Sequence, residues 1–433
     1  MNYSFKDKYL LEANLRLDGS SRFSKGKKYG LFPSISAGWR VEQEEFLKNS
    51  QVISNLKIRG SWGQLGNQEI PLYRNVGVYN LTQGYNFNNN IVSGAAQTVA
   101  ANQNITWEST TMTDLGFDLG LFKGKVSVVA DYFWRKTNDI LFALPIAPSI
   151  GISAPTQNAA SVENNGWEFA VNYNGNNENS EFNYTIGFNI SDVINKITDL
   201  KGTGPYYKDK FNIWQEGQSI NTLYGYKTLG LYRTQEDLTK YPKVTKEVTL
   251  GDIIYSDVNK DGVINAKDRV IIGNMDPRFT IGINFGANYK GFDFSMFWQG
   301  VLKSQVNIDG AIIEGPDWEN YTTEDMAKNR YHETKNPNGT MPRVCYGQAV
   351  NGYVSDFWLQ DTKYLRLKNF QLGYTIPKSL TGKLKINKLR VYISGENLLT
   401  FTPAKWVDPE VPAGRLQYFP QSKVMTTGIN ITF

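Results

Sequence analysis

Apolar residues at every second position, with polar residues or glycine between them, limit what this chain can fold into more than any other feature. Phe182, Tyr184, Ile186, Phe188 and Ile190 share one parity, and Asn183, Thr185, Gly187, Asn189 and Ser191 share the other. The segment 279–289 repeats the pattern, and so does 126–134, where Val126, Val128, Ala130, Tyr132 and Trp134 alternate with Ser127, Val129, Asp131 and Phe133. Only an extended strand sends successive side chains to opposite faces. About twelve such runs occur, most of roughly nine to eleven residues, the length a tilted strand needs to cross a bilayer. They lie near 9–18, 33–41, 56–65, 112–122, 125–136, 166–173, 182–191, 279–289, 292–299, 364–375, 389–401 and 424–433. One run slips phase, from Leu365 and Leu367 to Phe370, Leu372 and Tyr374, which predicts a bulge or a segment rising above the membrane.

The connections alternate in length. Lys123-Gly124, Asn174–Ser180 and Lys290-Gly291 are short turns, 42–55 and 376–388 are of middling length, and 66–111, 192–278, 300–363 and 402–423 are long. Loops of that length are uncommon in compact soluble domains. Bacterial barrels have short periplasmic turns and long extracellular loops. The expected fold is therefore all-β: an antiparallel transmembrane β-barrel portion over 1–433, with its strands' apolar faces on outer-membrane lipid.

Composition agrees. Aromatics make up 13% of the chain, with 25 Tyr, 23 Phe and 10 Trp beside 39 Gly, which suits strands, turns and aromatic girdles. No stretch of 18 apolar residues exists, so a membrane-spanning helix is excluded. The net charge of +5 comes without a Lys/Arg block, which argues against nucleic acid as a partner. A single histidine, His332, removes histidine-containing triads and His-based metal clusters. A single cysteine, Cys345, removes any intrachain disulfide.

Several segments resemble the SusC/RagA family of TonB-dependent outer-membrane transporters of Bacteroidetes. They are Asn2–Leu11, Arg16–Phe23, Phe32–Arg40, Gly60-Ser61-Trp62-Gly63 with Gly66-Asn67, Thr106-Trp107-Glu108, Tyr224-Gly225-Tyr226 and Gly251–Arg269. The resemblance implies a barrel of roughly 22 strands around a plug. The twelve runs would then be its C-terminal portion, with the plug absent and the TonB contact in a missing N-terminal part. It further implies nutrient import, not enzymology: oligosaccharides or peptides as cargo, energy from the TonB complex, and a SusD-like lipoprotein over the long loops. No cofactor is required by that reading. Two rivals stand beside it. One is a soluble all-β protein that binds or cleaves carbohydrate, and the other is a self-contained small porin-like barrel of twelve strands. A sandwich would keep connections short at both ends, whereas here only one end is short.

One local motif points to a metal. Asp257, Asn259, Asp261, Val263 through its carbonyl, Asn265 and Asp268 occupy positions 1, 3, 5, 7, 9 and 12 of a calcium loop, with Gly262 at position 6. Asp268 replaces the usual Glu and is one methylene shorter. The alternative is an Asx-rich turn held by its own hydrogen bonds. The loop aromatics Trp214, Tyr224, Tyr226, Tyr232, Trp318, Tyr321, Trp358 and Trp406 are expected to pack or to meet a partner rather than cargo. Arg16, Asp18, Asp118, Asp131 and Arg390 are expected to face the lumen.

Overall fold

A computed structural model describes all residues except 145, 177–179, 311–312, 314–321, 345–349, 411–418 and 420. Thirteen strands form one antiparallel sheet in chain order. They are Asn2–Phe5, Tyr9–Gly19, Tyr29–Arg40, Ile53–Asn67, Glu108–Leu121, Val126–Ala143, Thr156–Asn174, Phe182–Asp199, Arg278–Tyr289, Phe292–Lys303, Tyr364–Ile376, Lys388–Phe401 and Val424–Thr432. All twelve expected strands are present. The additional one is Asn2–Phe5, which lies outside the twelve runs. Its pairing of Phe5 with Tyr9 across Lys6 and Asp7, both at positive φ, makes it the first arm of a hairpin.

Two compact units divide the chain, one holding Met1–Asn172 with 192–204 and 215–218, the other holding the rest. In each, the strands keep the expected alternation. Ile58, Trp62, Leu115, Phe117, Tyr132 and Trp134 are exposed on one face of the first unit. Arg59, Asp114, Asp118 and Asp131 come together on the other. In the second unit Ile186 pairs with Phe285 and Phe285 with Met296, all on the apolar face.

The short and long connections fall at opposite strand ends. Lys290 and Gly291 both take positive φ, the two-residue hairpin geometry that matches strand twist. Beside the short turns the apolar face turns aromatic. Phe182 stacks on Tyr184 at 5.5 Å and meets Tyr289 at 6.2 Å, and Phe292 meets Tyr374 at 4.5 Å. Such belts mark the bilayer interface.

The phase slip expected in 364–375 is a bulge. Pairing shifts between Leu367 and Asn369 against one neighbour and between Phe297 and Trp298 against the other. Several strands run further than their alternation. Thr156–Asn174 begins ten residues before the expected 166, and its early residues Ala159, Ala160, Ser161 and Val162 are buried. Backbone pairing continues there, but packing on both faces removes the alternating signal.

Candidate functional site

The polar face is organised around ion pairs. Arg59 reaches Asp131 with two nitrogens, at 2.6 and 2.7 Å, and extends to Asp118 at 3.3 Å and Asp114 at 3.4 Å. A forked guanidinium suits this bidentate grip. Glycine gives it room, since any side chain at Gly116 would run into the Asp131 carboxylate. Arg16 pairs with Asp18 at 3.0 Å, and Arg390 with Asp293 at 2.8 Å. The five residues expected on this face are therefore all in ion pairs. Their cross-strand partners Arg59 and Asp293, and Asp114 on the same guanidinium, were not foreseen, because such partners follow from register alone.

Among the described residues the long connections carry packed cores. At the long-connection end of the first unit, Phe23, Phe32, Ile70, Ile105 and Trp107 form a buried cluster, with Trp107 5.2 Å from Phe23 and 5.4 Å from Phe32. The Arg16–Phe23, Phe32–Arg40 and Thr106-Trp107-Glu108 segments thus meet as packing. Burying aromatic and aliphatic side chains of this size stabilises by about 1.5–3 kcal/mol each.

A larger core in the second unit joins residues from three long connections: Leu231, Ile253 and Tyr255 from one, Ile308 and Trp358 from the next, with Trp406 and Val407 packed on it from the third. Asp252 is fully buried at its edge. It accepts from Asn351 Nδ2 at 2.9 Å and from Arg343 Nη2 at 3.1 Å, in an ion pair that brings Arg343 Nε within 2.7 Å. Asn351 in turn accepts from the Ile253 amide and, through its carbonyl, from Trp358 Nε1.

Packing is also what the loop aromatics do. Trp214, Tyr232 and Trp358 are buried. Tyr226 lies against Tyr255 and Tyr353, and Trp406 donates to Asp325. Tyr224 and Tyr207 face each other beneath Arg269. Trp318, Tyr321 and Cys345 lie outside the described residues. His332 accepts through Nδ1 from the Lys335 amide and closes a local turn.

The six residues of the 257–268 motif are brought into one hydrogen-bonded turn. Asp257 accepts from the amides of Lys260 at 2.7 Å and Gly262 at 2.8 Å, and Gly262 supplies the positive φ that closes it. Asn259 Nδ2 donates to Asp261, Asp261 accepts from the Val263 amide, and Asn265 Nδ2 donates to the Val263 carbonyl. Asp268, fully buried, accepts from Val258, Asn259 and Asn265. The donor set is all oxygen, as calcium prefers. Yet among the described residues no group of three or more His, Cys, Asp or Glu side chains is placed to hold an ion.

Burial acts to raise the Asp268 carboxyl, but the three amides outweigh it and hold it below its ordinary value. Its contribution is therefore present above the ordinary carboxylate range and lost as pH falls below it. Asp268→Ala is expected to strip hydrogen-exchange protection from 250–270 while the sheet strands keep theirs. Removing a buried acceptor of three bonds costs on the order of 1–3 kcal/mol. The same exchange run with and without calcium separates the two accounts of the turn. Protection that depends on calcium in the parent protein marks an ion loop, and equal protection marks a turn complete in itself.

The feature that sequence reasoning missed is a hairpin within 66–111. Tyr79–Phe87 pairs with Asn90–Gln97 as a separate two-stranded sheet, and Tyr79, Leu81, Tyr85, Phe87 and Ile91 are all exposed. Tyr85 and Phe87 sit 4.8 Å apart. The signal was available, because no charged residue occurs between Arg74 and Glu108.

Comparison with known proteins follows this geometry. Residues 1–398 match the family model described as TonB dependent receptor-like, beta-barrel. A TonB-dependent receptor of Formosa agariphila is 32% identical across all of this chain, which covers 45% of that relative. The TonB-dependent receptor SusC of Bacteroides thetaiotaomicron is 30% identical, with 100% of this chain and 43% of SusC covered. The chain thus spans just under half the length of these relatives. A solved structure of the RagAB peptide transporter superposes with a TM-score of 0.83 at 25% identity, covering 100% of this chain and 46% of its own. The apolar face is accordingly the lipid face of an outer-membrane barrel. This chain belongs to the TonB-dependent receptor β-barrel family, among its SusC/RagA-like members.

Proposed function

We propose that the chain is the C-terminal barrel part of a TonB-dependent importer that takes up oligosaccharides, working beneath a SusD-like lipoprotein held over its long loops. The supporting observation is the uncharged, exposed hairpin at 79–97. Tyr85 and Phe87 offer flat apolar faces, and Asn80, Gln83 and Asn86 lie along the same strand as amide donors and acceptors. Planar rings beside amides suit the alternating C–H faces and hydroxyls of a neutral sugar. Peptide cargo is the second reading, favoured by the solved relative named as a peptide transporter.

Uptake of labelled neutral oligosaccharides by cells carrying the parent receptor tests this. Removing TonB should abolish uptake, and Tyr85→Ala with Phe87→Ala should weaken it while barrel assembly is kept. Uptake that persists without TonB would sink the importer reading. Uptake of peptides alone, untouched by the hairpin change, would move the cargo to peptides.

A further inference from the structure

The basic residues of the short, periplasmic connections are not all alike. Some are neutralised where they stand: Lys8 by Glu44 at 3.0 Å, Arg40 by Asp7 at 2.5 Å and Lys290 by Glu181 at 3.1 Å. The connection from Pro377 to Lys388 differs. It contains no acidic residue, and among the described residues Lys378, Lys383 and Lys385 are exposed and enter no ion pair. Between them Leu380 is exposed at 67% of its surface. The segment is nevertheless ordered. A short helix spans Lys378–Thr381, Leu380 N–H donates to the Pro377 carbonyl, and Asn387 N–H donates to Thr432 on the last strand.

Its position gives these side chains a direction. The strand before it ends Tyr374-Thr375-Ile376, and Tyr374 packs on Phe292 in the aromatic belt of the apolar face. Moving outward from the bilayer centre, the order is aliphatic strand, aromatic belt, then an exposed leucine among unpaired lysines. Acyl chains, the interface and anionic headgroups follow one another in the same order. The first unit repeats the arrangement on a smaller scale, with exposed Phe122 followed by Lys123 and Lys125.

We propose that the 377–388 connection binds anionic phospholipid headgroups of the periplasmic leaflet, with Leu380 seated at the acyl boundary and Lys378, Lys383 and Lys385 on the phosphates. Charge complementarity selects this occupant, because a zwitterionic headgroup offers three lysines no net attraction. A lysine near an anionic surface contributes about fivefold in affinity.

The test uses the parent receptor in nanodiscs of phosphatidylethanolamine, with or without phosphatidylglycerol. Native mass spectrometry should find phosphatidylglycerol retained in preference to phosphatidylethanolamine. The triple variant Lys378→Gln, Lys383→Gln, Lys385→Gln should reduce that preference roughly tenfold or more. A bimane dye on Leu380→Cys, in a Cys345→Ser background, should shift to the blue when phosphatidylglycerol is added. Equal lipid retention by parent and triple variant would overturn the proposal. So would a dye that stays in water in both bilayers. Glycerol phosphate that binds as well as the lipid would overturn the lipid source, as would loss of a co-purifying acidic protein from the triple variant with lipid retention intact.

Discussion

Replacing Arg366 with alanine is expected to destabilise the long-connection end of the second unit by about 3–5 kcal/mol, the usual cost of leaving buried charges without their partner. Arg366 is 2% exposed, at the bulge in Tyr364–Ile376. Its guanidinium lies 2.8 Å from Asp408 and 3.1 Å from Glu410, and its Nε donates to Thr400 at 2.9 Å. Lys368, the residue skipped by the pairing on either side of it, reaches Glu410 at 2.9 Å. At the bulge two successive even-numbered cations therefore reach one pair of carboxylates and tie the 402–410 segment to the barrel. Arg366→Ala strands Asp408 and Glu410 with a single lysine. Adding Asp408→Asn and Glu410→Gln should restore most of the loss, because no unpaired charge then remains buried. Hydrogen exchange over 359–376 and 399–410 reads both results. A loss below about 1 kcal/mol for Arg366→Ala would mean that the carboxylates reach water.

The second large effect concerns the two faces of one strand. Ile283 pairs with Phe188 on one side and Trp298 on the other, in the middle of Arg278–Tyr289. Its neighbour Asn284 faces Gly187 and Phe297 on the polar side. Arginine at Ile283 should cost roughly 2–4 kcal/mol, the depth-dependent penalty for a cation on the lipid face near the midplane, and arginine at Asn284 should cost little. Denaturant unfolding of the receptor in lipid vesicles gives the comparison. Equal costs at the two positions would reverse or abolish the face assignment.

The repeat of two made most of this fold legible, because a bilayer on one side and water on the other write opposite chemistries onto alternate residues. It failed where that contrast ends. Asn2–Phe5 is too short to show a phase, and the first ten residues of Thr156–Asn174 are covered on both faces, where small and polar residues such as Ala160 and Ser161 are buried as readily as Val162. The lumen-facing charges could be placed by parity, but the grouping of Arg59 with three aspartates needed the register of three strands. The loop aromatics were expected to pack or to meet a partner, and the six that are described pack. Their core could not be anticipated, since Ile253, Ile308 and Trp358 are far apart in sequence and meet only when the loops fold together. The 257–268 segment was recognisable from spacing as either a calcium loop or an Asx-rich turn, and it folds as a turn with local hydrogen bonds. The hairpin at 79–97 escaped because its signal is a lack of charge rather than a motif.

The central claim is that one parity of these strands faces lipid and the other faces the lumen. Single cysteines placed in turn from Thr280 to Asn288, spin-labelled in a Cys345→Ser background and reconstituted in bilayers, test it most directly. Oxygen, which concentrates in the acyl region, should broaden the signals at 281, 283, 285 and 287. A water-soluble nickel chelate should broaden those at 280, 282, 284, 286 and 288, with the two profiles out of phase along the whole strand. Profiles that rise and fall together, or that show no period of two, would contradict a membrane-spanning barrel strand.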